Sequence, residues 1–332
     1  MSRSSSVSIM SKRALICGIS GQDGAYLAKL LVENGYEVFG TSRDAERSEF
    51  SNLAKLGVKD QVTLRSMSLA DFRSVLSTVA AVEPDEIYNL AGQSSVGLSF
   101  EQPVETMESI SLGVLNLLEV IRFTGGRARL YNAGSSECFG DTGEVPANEE
   151  TPFRPRSPYA VAKSAAHWAV ANYREAYGIY ACNGILFNHE SPLRPARFVT
   201  SKIIQSAVAI KQGRLEKLSL GNIDIARDWG SAREYVEAMW KMLQQDQPDD
   251  FVIATGQTST LAEFLAAAFD AVELDWQDYV EFNKAFARPS DIRFSGADPS
   301  KAARVLGWSA QSKMRDVVNE MVAAEFERHS NQ

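Results

Sequence analysis

Short apolar runs that end at glycine or at a polar turn recur through the first half of the chain, each followed by a stretch long enough for a helix. Residues 13–18 (Arg-Ala-Leu-Ile-Cys-Gly) form the first such run. Residues 25–34 then carry apolar positions at helical spacing and stop at Gly35, and residues 37–40 form a second apolar strand, completing a βαβ unit. Further strands are predicted at 62–65, 86–90, 128–133 and 181–186, and long helices at 103–124 and 159–177. Strands alternating with helices predict an α/β fold, a doubly wound parallel Rossmann sheet that takes its ligands at the carboxyl ends of its strands. From about Ser191 the alternation weakens, with loops at 192–197 and 221–230, a helix near 232–245, and a short strand at 292–295 before a last helix. Residues 1–11 therefore read as a disordered leader and 12–190 as mainly the dinucleotide-binding domain. Residues 191–328 read as mainly a smaller C-terminal substrate lobe, partly interleaved with the first.

With 332 residues, 45% of them hydrophobic, the chain can bury one large core and a second smaller one. A net charge of -8 without clustered Lys and Arg argues against a nucleic-acid surface, so a phosphorylated ligand would need a local basic pocket. Cys17, Cys138 and Cys182 are too few and too scattered for a disulfide framework or a metal knuckle, and read as small buried apolar groups in a reducing compartment. No apolar stretch approaches the ~20 residues that span a bilayer, and the Ser-rich leader lacks the apolar centre of a signal peptide. The expectation is a cytoplasmic enzyme without membrane, metal or nucleic-acid partners.

Two motifs carry chemistry. Gly18, Gly21 and Gly24 lie between the first strand and the first helix, where backbone amides and the positive end of a helix can hold a pyrophosphate. The second strand runs into Thr41-Ser42-Arg43-Asp44; Arg43 suits the 2'-phosphate of NADP, whereas Asp44 leaves NAD, through the ribose 2'-hydroxyl, as the alternative. In Ser157-Pro158-Tyr159-Ala-Val-Ala-Lys163, a Ser cap and a Pro at the first helical position would put Tyr159 and Lys163 one turn apart on one face. An ammonium beside a phenol favours the phenolate, so Tyr159 is expected to act as a base.

These residues, with Tyr88-Asn-Leu-Ala-Gly-Gln-Ser94, Ser135-Ser-Glu137, Asn183-Gly-Ile-Leu-Phe-Asn-His-Glu-Ser-Pro192, Arg227-Asp-Trp-Gly230, Arg288-Pro-Ser-Asp291 and Leu306-Gly-Trp308, resemble the extended short-chain dehydrogenase/reductases and, within them, the GDP-mannose 4,6-dehydratase family. The resemblance spans nearly all of 12–328. It implies that Gln22, Asp23, Leu90 and Ala91 join the three glycines, Arg43, Tyr159 and Lys163 around the cofactor. It places Ser135 in the hydroxyl position of a Ser-Tyr-Lys set and makes Glu137 the base of an elimination. It assigns Ser94, Asn188, Lys202, Arg227, Arg288 and Asp291 to the GDP-sugar.

The implied reaction oxidises the 4-hydroxyl of a GDP-sugar, removes the C5 proton with loss of the 6-hydroxyl as water, and returns the hydride to C6, so that cofactor is not consumed. Other readings are dehydration of a different GDP-sugar, a heptose or N-acetylhexosamine, and an NADP-dependent nucleotide-sugar reductase or 4-epimerase, which would not need Glu137. The chain departs from the family pattern where Ser42-Arg43-Asp44-Ala45 replaces Arg-Arg-Ser-Ser, where Met67-Ser68 replaces Gly-Asp, and where Ser201 replaces Arg. Apolar Leu112, Leu115, Leu118, Trp168 and Val170 on the two long helices suggest pairing across a twofold axis. A homodimer is expected, with the altered loop weakening a tetramer.

Overall fold

The computed structural model describes residues 11–283 and 290–330. Among these residues thirteen strands run in chain order as β1 (Arg13–Cys17), β2 (Glu37–Ser42), β3 (Val62–Ser66), β4 (Glu86–Asn89), β5 (Arg129–Ala133), β6 (Ala181–Leu186), β7 (Asn188–Glu190), β8 (Leu218–Leu220), β9 (Ala226–Ser231), β10 (Phe251–Ile253), β11 (Thr258–Thr260), β12 (Val280–Phe282) and β13 (Phe294–Ser295). The α-helices are α1 (Gln22–Glu33), α2 (Ser51–Lys55), α3 (Phe72–Val82), α4 (Val96–Glu101), α5 (Pro103–Met107), α6 (Gly113–Phe123), α7 (Pro158–Tyr177), α8 (Val199–Lys211), α9 (Ala232–Leu243), α10 (Leu261–Asp270), α11 (Ser300–Leu306) and α12 (Met314–Ser330).

The main sheet has seven parallel strands in the order β10-β6-β5-β4-β1-β2-β3, the expected doubly wound arrangement. A parallel sheet needs apolar side chains on both faces, and β1 supplies them alternately. Ala14 and Ile16 pack among α1 and α9 residues such as Leu27, Leu31, Val236 and Met239. Leu15 and Cys17 pack on the other side with Val75, Leu117, Ala162 and Val170. The strand order reverses between β1 and β4, which opens a crevice at their carboxyl ends.

The chain leaves the main sheet at Phe187. Strand β7 pairs with β9, which also pairs with β11 and β13, while β8 pairs with β12. This second sheet rests on α8, α10 and α12 through a core that includes Ile204, Trp229, Phe264, Val318 and Met321. Helix α9 and strand β10 then return to the first lobe.

Two sequence expectations are corrected. The loop expected over 221–230 contains β9, a strand buried along its whole length. Its charged pair Arg227-Asp228 hides the apolar signal, yet both side chains have polar partners inside. The helix expected over 103–124 is divided by a π turn at Glu108–Leu112, where Ser111 Oγ donates to the Ala162 carbonyl of α7 at 3.0 Å. Among the described residues, no helix is long and apolar enough to cross a membrane.

Candidate active site

The site is built on the start of α7. Ser157 Oγ accepts from Ala160 N at 3.1 Å, and Pro158 takes the first helical position, where no donor is missed. Tyr159 and Lys163 thus stand one turn apart, both only 9% exposed. Lys163 Nζ donates to the carbonyl oxygen of Ala133, the last residue of β5, at 2.7 Å and lies 5.8 Å from the centre of the Tyr159 ring. Just past β5, Ser135 caps a 3-10 turn, accepting from Glu137 N at 3.3 Å, and its side chain hydrogen-bonds Tyr159. Ser135, Glu137, Tyr159 and Lys163 therefore converge.

Burial raises the Tyr159 phenol above its ordinary range. The Ser135 hydrogen bond opposes this, the Glu137 charge adds to it, and a charge from Arg194 works against it. The expected lowering of the phenol by Lys163 is not what governs it, because the phenol has left water and Lys163 is held by a carbonyl instead. Burial also brings Lys163 down to about 8.

Above this set lies the glycine turn. Gly18 has a φ of +84°, and a Cβ there would meet the Ala91 backbone at 2.9 Å; one at Gly24 would meet the Gly18 carbonyl oxygen at 2.5 Å. These two glycines are required by the fold itself. Gly21, the N-cap of α1, has an ordinary φ of -71°, and its Cβ would meet protein only at 3.5 Å. The protein does not demand glycine at 21, so its bare backbone leaves room for a ligand to approach, as a pyrophosphate does at such a turn. Leu90 and Ala91, half-buried after β4, form the opposite wall.

The side chains of Gln22 and Asp23 do not face that space. Gln22 donates to the His189 carbonyl at 3.0 Å and accepts from Ser191 Oγ at 2.9 Å. Asp23 Oδ2 bonds His189 Nε2 at 2.9 Å. Their expected place beside the cofactor is left to their backbone, because the C-terminal lobe offers the side chains better partners. The sequence motifs assign no role to His189 or to Arg194. Arg194 pairs with Glu190 at 3.0 Å, lies 3.7 Å from the Phe198 ring centre, and acts electrostatically on Tyr159 and Asp23. An arginine between Pro192 and Pro195 in a buried-looking loop was the available signal.

On the substrate side, Arg227 Nη2 lies 3.5 Å from Asp291 Oδ1. Lys202 Nζ donates to the Ser219 carbonyl at 2.7 Å, Asn188 opens β7, and Ser94 accepts from Arg197 Nη2 at 3.5 Å. Arg288 lies outside the described residues. At the end of β2, Arg43 is 86% exposed and 3.4 Å from Glu105. Asp44 Oδ1 accepts from the backbone of Glu46 and Arg47, both at 3.1 Å. Among the described residues no cluster is suited to a metal ion.

Residues 15–321 match the family model described as GDP-mannose 4,6 dehydratase. The chain belongs to the GDP-mannose 4,6-dehydratase family. It is 48% identical over 326 residues to GDP-mannose 4,6 dehydratase 1 of Arabidopsis thaliana, covering 95% of this chain and 90% of that protein. Its fold also matches UDP-glucose 4-epimerase of Thermus thermophilus in complex with NAD, at a TM-score of 0.83 and 25% identity over 95% of this chain and 99% of that one. RMD from Pseudomonas aeruginosa, complexed with NADPH, shares the fold at a TM-score of 0.81 and 21% identity over 96% and 100% of the two chains. Membership in the dehydratase family makes the carboxylate of Glu137, set beside a Tyr/Lys pair, the feature to explain.

Proposed function

We propose that the chain dehydrates GDP-mannose to GDP-4-keto-6-deoxymannose, with NADP as a returning hydride carrier. One observation carries this reading: Glu137, two residues past Ser135 at the end of β5, is near enough to Tyr159 for its charge to raise the phenol. A reductase or epimerase has no step for that carboxylate.

Tyr159 takes the proton of the sugar 4-hydroxyl, and Ser135 shares the hydrogen bond to that oxygen. NADP, held by the glycine turn with Tyr159 and Lys163, would supply the hydride chemistry, taking hydride from C4 and giving it back at C6. Because Tyr159 is raised by burial, the positive Lys163 and the charge of Arg194 are needed on its side for the phenolate to form. Once C4 is a ketone, the neighbouring C5–H is acidic. Glu137 removes that proton and hands it to the 6-hydroxyl, which leaves as water; when C6 takes back the hydride, C5 takes a proton from solvent through Glu137, and Tyr159 gives up to solvent the proton it took from the 4-hydroxyl. Arg227, Lys202 and Arg288 supply positive charge for the diphosphate, with Asn188, Ser94 and Asp291 as polar contacts to the rest of the GDP-sugar.

The cofactor cradle consists of the turn of Gly18, Gly21 and Gly24, the backbone of Gln22 and Asp23, and Leu90, Ala91, Tyr159 and Lys163. NADP is favoured over NAD because Asp44 already serves its own loop, while Arg43 stands exposed at the end of β2. The division near residue 190 into a cofactor lobe and a sugar lobe belongs to the same reading. Three buried free cysteines suit the cytoplasm.

Incubation of the purified protein with a panel of GDP-sugars, without added reduced cofactor, tests the reading by mass spectrometry. GDP-mannose should lose one water. In a parallel incubation with NADPH, its stoichiometric oxidation without loss of water would indicate a reductase instead, and loss of water only from a GDP-heptose or GDP-N-acetylhexosamine would move the substrate.

A further inference from the structure

Three asparagines stand side by side in adjacent parallel strands: Asn89 pairs in register with Asn132, and Asn132 with Asn183. All three are buried. Asn89 Nδ2 donates to Asn132 Oδ1 at 3.0 Å, and Asn132 Nδ2 to Asn183 Oδ1 at 2.9 Å. The row ends on Asp250, whose Oδ1 accepts from Asn183 N at 2.7 Å and from its Nδ2 at 3.1 Å. Both Asp250 oxygens are also gripped by the Arg174 guanidinium at 2.9 Å each.

Arg174 lies on α7, the helix that carries Tyr159 and Lys163. The same helix is tied to the row at His167, whose carbonyl accepts from Asn183 Nδ2 at 3.3 Å and whose Nε2 is 3.8 Å from Asp250 Oδ2. It is tied to β5 at Lys163. Positions 163, 167 and 174 fall on one face of the helix. Beside them the helix packs Ala162, Ala166 and Val170 into the core, side chains too small to lock it by interdigitation. Apolar contact is non-directional and would tolerate sliding along the sheet, whereas directional buried hydrogen bonds fix one position.

We propose that Asp250 is a positioning residue for the reaction: through Arg174, His167 and Asn183 it sets where α7 lies along the sheet, and so where Tyr159 and Lys163 stand relative to Ser135 and Glu137. Asp250 bonds to the far end of the helix rather than to any group assigned to the chemistry. The inference rests on the reading of Tyr159 and Lys163 as the acid/base pair.

The test compares kcat and KM for GDP-mannose in Asp250→Asn, Arg174→Ala and Arg174→Lys. Asparagine keeps an acceptor for Asn183 but turns an N–H toward the guanidinium; lysine keeps one of the two charged bonds. Displacement of reacting groups by a fraction of an ångström should lower kcat on the order of tenfold or more in Asp250→Asn and Arg174→Ala. KM should stay within about twofold, and Arg174→Lys should recover part of the loss. Parent kcat in a folded Asp250→Asn protein overturns the proposal, as does a loss expressed mainly in KM. If Asp250→Asn fails to fold, equal kcat in Arg174→Ala and Arg174→Lys overturns it. Full activity in Tyr159→Phe would instead refute the underlying reading and leave the geometry of the row untouched.

Discussion

His189 Nε2 lies 2.9 Å from Asp23 Oδ2, so the strand that begins the C-terminal lobe is latched to the first turn of the helix that begins the cofactor site. The ring of His189 also stacks on Tyr235 of α9, with centroids 4.8 Å apart. The latch joins the two lobes at the mouth of the crevice.

Burial disfavours the His189 cation, but the charge and hydrogen bond of Asp23 outweigh it and hold the imidazole above the ordinary histidine range. A raised pKa stabilises the fold fully below the unfolded value of about 6.5, and that contribution is lost as pH rises through the folded value. The parent should therefore lose thermal stability as pH climbs above about 6.5. In Asp23→Asn only the Phe187 carbonyl still favours the His189 cation against burial and the Arg194 charge, so the loss of stability with rising pH should largely disappear. Melting temperatures of both proteins from pH 5 to 9, with His189→Gln as the control lacking this titration, would show whether the latch behaves this way.

The glycines should separate stability from binding. Gly24→Ala drives a Cβ to 2.5 Å from a backbone oxygen and should destabilise the protein by about 1 to 3 kcal/mol. Gly21→Ala meets nothing closer than 3.5 Å and should change stability by less than about 1 kcal/mol while weakening NADP binding. Chemical denaturation paired with cofactor titration checks both; an unaltered affinity in Gly21→Ala would remove the pyrophosphate from that turn.

Glu137→Gln should bind cofactor and GDP-mannose as the parent does and stall after C4 oxidation. Loss of one acid/base group corresponds to a slowing on the order of 10²-fold or more. Rapid-quench analysis should find the 4-ketone without loss of water. Turnover at the parent rate would make Glu137 structural.

Arg43→Ala should lose about tenfold or more in NADP affinity, the value of a charge-assisted contact worth about 1.5 to 3 kcal/mol, with NAD affinity nearly unchanged. Isothermal titration with both cofactors distinguishes this from a general defect, in which the two would weaken equally.

Leu118 and Val170 face the core, whereas Val161 and Trp168 on α7, Leu112 on the π turn and Leu115 on α6 remain exposed, Trp168 by 60%. A second copy of the same face would cover them, which leads us to expect a homodimer. Light scattering should give twice the monomer mass, and Trp168→Asp should shift it toward the monomer. A fourfold mass would overturn the expectation that the loop at Arg43, paired here with Glu105 of its own chain, disfavours a tetramer.

The sequence by itself determined the alternation of strands and helices, the glycine turn and the pairing of Tyr159 with Lys163, because each is written in local spacing: apolar runs, a Ser-Pro cap and a four-residue interval. The family resemblance carried by Ser135-Ser-Glu137 added a carboxylate near that pair. Tertiary structure decided the rest. Strand β9 escaped notice because Arg227 and Asp228 look like surface charges until Asp291 and Thr255 come in from distant segments to satisfy them. The side chains of Gln22 and Asp23 turned toward His189 and Ser191, partners more than 160 residues away in sequence. The state of Tyr159 depends on how far burial outweighs nearby charge, and the row from Asn89 to Asp250 exists only where four strands lie side by side. Such relationships have no period along the chain; they arise from which backbone groups folding removes from water and which side chains it then brings to meet them.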